Sequence, residues 1–193
     1  MQAFDVMEDL REAQAVLAAF IARPDTREAI EHAIDTCAGA ISAGGKIITA
    51  GNGGSMCDAQ HLAEELTGRY RGERQALAAV AICDPSHLTC VGNDYGFDCV
   101  FSRFIEGVGR RGDVFVGIST SGNSANILQA CAACSRMGLI SICLLGRDGG
   151  QLRGRCDQCI IVPHDGYADR VQEVHTLIIH TLIRGIEQRL CPA

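Results

Sequence analysis

No apolar run in this chain of 193 residues approaches the roughly eighteen needed to cross a bilayer. The N-terminal stretch is acidic and lacks the basic and apolar regions of a secretory signal, which points to a cytoplasmic protein. Basic runs are also missing and the formal net charge is −6, so neither nucleic acid nor an acidic membrane is expected as the main partner. Nor does any linker-like or low-complexity segment divide the chain. A composition of 47% apolar and 21% charged residues suits one domain, residues 1–193, with a full hydrophobic core.

Cysteine, by contrast, is plentiful. Eleven cysteines without a secretory signal read as reduced thiols, and the odd count leaves at least one unpaired under any pairing scheme. Cys131-x-x-Cys134 and Cys156-x-x-Cys159 have the spacing of two halves of a structural zinc site. The surroundings argue against one: Cys131 and Cys134 fall inside a helical pattern, and a strand-like run at 139–145 separates the pairs. These thiols are expected as small core residues. Cys57 stands in a first helical turn, where a thiol pKa can be depressed, although packing as a small residue is the simpler reading.

Apolar spacing predicts helices over 1–20 and 27–41, separated by Pro24. They precede the first strand, so they form an N-terminal extension (1–43) to an α/β core (44–193) and are candidates for subunit contacts. In that core, strands are predicted at 46–50, 76–83, 114–118, 139–145 and 159–163. Between and after them come helices at 55–66 and 97–108, one ending at Met137, and a long terminal helix at 168–190, with a helical turn at 86–91 and a loop at 92–96. This alternation indicates an α/β three-layer sandwich with a mainly parallel five-stranded sheet, in which ligands gather at the carboxyl ends of strands.

Two strand-to-helix loops occupy that edge. The first, Gly51-Asn52-Gly53-Gly54-Ser55, lets a ligand approach the backbone at a helix N-terminus. The second offers the hydroxyls of Ser119, Thr120, Ser121 and Ser124, a phosphate monoester site without lysine and the better phosphate cradle of the two. Neither completes a nucleotide P-loop or a G-x-G-x-x-G dinucleotide turn. Behind the first loop, His61 and Glu65 are four apart and share a helix face. On the terminal helix Gln172 and His180 are eight apart and interrupt a strongly apolar surface, with His175 close to the same face. Two imidazoles, a carboxylate and an amide can either ligate Zn²⁺ or divide general acid and base roles.

The segments GNGGS (51–55), AEELTGRY (63–70), VGNDYGF (91–97), STSGNSAN (119–126) and VPHDGYADRVQEVH (162–175) closely resemble those of the bacterial phosphoheptose isomerases, in the sugar-isomerase (SIS) superfamily with its flavodoxin-like sheet. The resemblance implies isomerisation of sedoheptulose 7-phosphate to D-glycero-D-manno-heptose 7-phosphate, for lipopolysaccharide core heptose. It puts substrate phosphate on Ser119, Thr120, Ser121 and Ser124 with Ser55 nearby, and the sugar against Asn52, Gly53, Gly54, Asn93, Asp94 and Gln172. It makes His61, Glu65, Gln172 and His180 the ligands of one zinc ion per subunit, Glu65 the base at carbon and His180 the acid/base at oxygen. It further implies a homotetramer with active sites at subunit interfaces. A carboxylate held tightly by zinc is a poor base, so Glu65 must leave the metal or use one oxygen for each role. Arg69 either positions the anionic sugar or is simply solvated. Two rival functions stand beside the isomerase: a non-catalytic SIS-fold binding protein of the replication-initiator-associating type, and a sugar-phosphate sensor.

Overall fold

The computed structural model describes residues 4–191. Two antecedent helices, α1 (Val6–Ala22) and α2 (Thr26–Ser42), lead into β1 (Ile47–Gly51) and α3 (Gly54–Thr67). They are followed by β2 (Ala79–Ala81), α4 (Pro85–Tyr95), a 3-10 turn at Phe97–Cys99, α5 (Val100–Val108), β3 (Val114–Ser119) and α6 (Ala125–Met137). The chain continues through β4 (Ile140–Gly146), a 3-10 turn at Gly150–Gly154, β5 (Gln158–Val162) and α7 (Ala168–Leu190). The five strands pair only in parallel, in the order β2-β1-β3-β4-β5.

Burial on both faces explains why the central strands are continuous apolar runs rather than alternating ones. Along β3, Val114, Val116 and Ile118 point to one side and Phe115 to the other, all buried. The first side packs on α1, α2, α3 and α7, and the second on α4, α5 and α6. The N-terminal helices are therefore part of one covering layer. Arg170, at the start of α7, fastens α1 to it through ion pairs with Asp9, Glu12 (3.0 Å) and Glu173 (2.6 Å).

Two expectations need correction. Residues 92–95 are not a loop. The Asp84 side chain accepts the His87 N–H at 2.8 Å, Pro85 occupies the first helical position, and α4 runs on until Gly96, at φ +88°, stops it. His87 Nε2 also donates to the Val100 carbonyl at 2.8 Å, so tertiary contacts override the turn composition of Gly92-Asn93-Asp94. The strand expected over 76–83 shrinks to Ala79–Ala81, because it lies at the sheet edge and the preceding Leu77 N–H turns to the Leu66 carbonyl.

His175 is fully buried on α7, with Nε2 donating to the Leu145 carbonyl at 3.1 Å and Nδ1 unpartnered among the described residues. It thus secures α7 to β4. Burial holds its pKa down to about 4, from 6.5. The unfolded chain takes up that proton near pH 6.5 and the folded one only near pH 4, so stability is intact above 6.5 and falls as pH drops through that window. At 1.36 kcal/mol per pH unit the loss is about 3 kcal/mol. Urea denaturation at stepped pH should show this decline, and His175→Gln should flatten it.

Candidate active site

The strand order sets the site. β1 connects onward to β2 on one side and β3 to β4 on the other, so a crevice opens above the carboxyl ends of these adjacent central strands. The two expected loops flank it. After β1, Gly53 adopts φ +56°, and α3 begins at Gly54. The Ser55 N–H is already bonded to the Asn52 carbonyl at 3.0 Å, and that of Met56 to Gly53 at 3.0 Å. A side chain on Gly54 would collide with the amide of Gln172, so the bare glycine is what lets α7 close over this loop.

After β3, Ser119, Thr120, Ser121 and Ser124 line the second loop. Ser124 sits at the N-cap position of α6 without capping it; its hydroxyl instead hydrogen-bonds that of Ser119 at 2.8 Å. Ser121 Oγ accepts the Asn123 N–H at 3.2 Å. The two loops are clasped together by a residue the sequence reading passed over. Asn52 Nδ2 donates to Asn126 Oδ1 at 3.0 Å, and Asn126 Nδ2 returns a bond to Asn52 Oδ1 at 2.8 Å. The clue in the sequence was faint: an asparagine beside each of two small-residue loops.

His61 and Glu65 of α3 meet His180 of α7, with one ligand atom from each within 4.8 Å of the others. His61 Nε2 lies 2.9 Å from His180 Nε2 and 3.9 Å from Glu65 Oε1, while His61 Nδ1 pairs with Glu64 at 3.0 Å. With Nδ1–H spent on Glu64, the lone pair on His61 Nε2 faces its partner imidazole, an arrangement that suits a shared proton or cation. Neutral imidazole and carboxylate oxygen are a zinc donor set. Tyr70 stacks on His180 with ring centroids 5.7 Å apart and an interplanar angle of 27°. The buried Asp58 accepts from the Thr176 hydroxyl at 2.9 Å, and its other oxygen has no partner among the described residues; burial raises its pKa, against the Thr176 bond and His61.

Not every expected residue joins this group. Asn93 and Asp94 are exposed near the end of α4 and hydrogen-bond one another at 2.7 Å. Arg69 and Cys57 are exposed.

The SIS domain family matches residues 10–146. Over nearly its whole length, 185 residues, the chain is 54% identical to a phosphoheptose isomerase from Cytophaga hutchinsonii, covering 96% of this chain and 97% of that one. It belongs to the phosphoheptose isomerases of the SIS-domain family. A relative in Escherichia coli is 52% identical, with 96% of both chains covered. Solved phosphoheptose isomerases from Neisseria gonorrhoeae (41% identity, TM-score 0.81) and Francisella tularensis (34%, TM-score 0.85) each align over 94% of both chains. Family membership thus extends through α7, which carries Gln172 and His180 and lies outside the SIS match.

The amide clasp yields a direct test. Asn52→Ala or Asn126→Ala leaves a part-buried amide unpaired and should cost about 1–3 kcal/mol by urea denaturation. The double variant should cost less than the sum, by about 1 kcal/mol of coupling.

Proposed function

We propose that this chain interconverts sedoheptulose 7-phosphate and D-glycero-D-manno-heptose 7-phosphate, supplying heptose for lipopolysaccharide core. The observation that carries the reading is the meeting of His61 and Glu65 with His180 across 119 residues of sequence, beside two loops at the carboxyl edge of the sheet. Near-full-length identity to phosphoheptose isomerases supports the choice of substrate.

An aldose–ketose exchange moves one proton between adjacent carbons and another between their oxygens, through an enediolate. Glu65, with its side chain 17% exposed, is shielded from bulk water and takes the carbon-bound proton. His180, held by the Tyr70 ring and facing His61, exchanges the proton at oxygen. Substrate phosphate is held by Ser119, Thr120, Ser121 and Ser124, with Ser55 nearby; the paired hydroxyls of Ser119 and Ser124 can turn as donors toward an anion. Asn52 positions the loops through Asn126, Gly53 leaves open space for the sugar, Gly54 admits Gln172 beside it, and Asn93, Asp94 and Gln172 complete the sugar's surroundings. His61, Glu65, Gln172 and His180 would hold one Zn²⁺ per subunit, which when bound polarises the carbonyl as a Lewis acid.

The working unit is a cytoplasmic homotetramer of single-domain chains, with sites at subunit interfaces. In support, an open cavity of about 640 Å³ runs between α1, α2 and α7, lined by Leu17, Phe20, Ile21, Ile30, Leu177 and His180. Exposed Ile21 and Leu177 give it an apolar rim suited to another copy. No helix among the described residues is long and apolar enough to cross a membrane.

Purified protein incubated with sedoheptulose 7-phosphate should form the aldoheptose phosphate. No product, with or without added zinc, would sink the isomerase and leave a binding protein or sensor. Glu65→Gln should lower kcat by roughly 10²–10⁴ while substrate binding stays measurable by calorimetry. Chelation should abolish turnover, and zinc should restore it.

A further inference from the structure

We propose that Asp58 is a positioning residue for the group formed by His61, Glu65 and His180, acting through Thr176 of α7. Three contacts join α3 to α7 side by side. Gly54 lies against the Gln172 amide, Asp58 Oδ1 accepts the Thr176 hydroxyl at 2.9 Å, and His61 Nε2 faces His180 Nε2 at 2.9 Å. The pairs advance in the same direction along both helices, in steps of three or four residues, about one turn each. Two parallel helices thus meet along one seam, and Asp58 with Thr176 forms the rung between the contacts at Gln172 and His180.

That rung is what gives the seam a fixed register. Ala59 and Leu62, its apolar neighbours on α3, are buried in the core, and apolar contact has no preferred direction. Gly54 admits Gln172 without holding it. Among the described residues, the Asp58–Thr176 bond is the one side-chain hydrogen bond from α3 to α7 apart from that between the imidazoles themselves. Thr176 has a single hydroxyl hydrogen and a second acceptor within reach, the Gln172 carbonyl of its own helix at 3.2 Å. Without Asp58 the hydrogen returns to that carbonyl, and no directed bond links the helices between Gly54 and His61. Asp58 is buried and its Oδ2 has no partner among the described residues, so stability alone would favour an apolar side chain here.

Beyond His61 the helices are held independently. The Arg74 side chain, 3% exposed, donates to the Glu65 and Leu66 carbonyls at the end of α3 (2.6 and 2.9 Å) and to Glu187 of α7 at 2.7 Å. Removing the Asp58 rung therefore leaves the pair clamped at that end and loosens the stretch that sets His61 against His180. Proton transfer tolerates little of this, since a displacement of about 1 Å at a reacting group costs on the order of 10²-fold in rate. The assignment rests on the isomerase reading for what the group does, whereas its geometry can be tested without turnover.

The test starts from the full-length, metal-free protein, protonated at histidine and deuterated elsewhere. Wild type should give a ring-to-ring nuclear Overhauser effect between His61 and His180, whose centroids are 5.1 Å apart. Asp58→Ala and Thr176→Val should each lose it, and Thr176→Ser, which keeps the hydroxyl, should retain it. Zinc affinity, read by competition with a chromophoric chelator, should fall about tenfold in the first two variants and not in Thr176→Ser. In turnover, kcat should drop about 10–100-fold in the same two, with KM little changed because the hydroxyl loop is held separately by Asn52 and Asn126. An Overhauser effect and a zinc affinity that survive in Asp58→Ala and Thr176→Val would overturn the proposal, as would a Thr176→Ser that behaves like Thr176→Val. Where Asp58→Ala does not fold, Thr176→Val, which only exchanges a hydroxyl for a methyl, decides the matter. Loss of the ring contact in the variants beside a wild type that forms no aldoheptose phosphate supports the rung and removes the isomerase reading alone.

Discussion

A parallel sheet has no face that can be left to water, because each of its strands is apolar on both sides. Covering it takes two helical layers, and here one of them requires α1 and α2 as well as α3 and α7. The ion pairs of Arg170 and the buried bond from His175 to Leu145 fasten that layer, the first to α1 and the second to the sheet. Everything at the crevice inherits its position from this covering. α3 carries His61 and Glu65 because it starts where β1 ends, and α7 brings His180 because it must roof the same face.

The site combines two kinds of order. The loops are set by short-range polar contacts: the paired asparagines, the paired serine hydroxyls, and the amides of the 3-10 turn on Gly122 and Asn123. The imidazole and carboxylate group is set by long-range helix packing, with Gly54 giving Gln172 room to approach. In the proposed reading the first kind of order serves grip on the substrate and the second serves proton transfer.

Much of this was legible in the residues. α7 was expected over 168–190 and is found at Ala168–Leu190, because a long apolar periodicity with a sharp start leaves little freedom. His61 with Glu65, and Gln172 with His180, could be paired on their helix faces from spacing alone. What spacing could not supply was partnership between distant segments. Asn126 carries no signal of its own in the sequence, and only the fold sets it against Asn52. His175 shares a helix with Gln172 and His180, yet its ring lies against the sheet, a difference in direction that eight-residue arithmetic cannot resolve. Gly92 to Tyr95 read as a turn because glycine, asparagine and aspartate favour one, and the capped start of α4 carried the helix through them. The register of β4 on β5, which sets Cys143 beside Cys159, has no signature in sequence.

The separation of His61 from His180 also has a consequence for the order of assembly. α7 follows every other described element in the chain, so during synthesis the sheet and both loops can form before the second imidazole emerges. A growing chain can hold a complete hydroxyl loop before His180 has emerged. His61 and Glu65 meet His180 only when α7 docks, and its docking and the completion of the hydrophobic layer are one event.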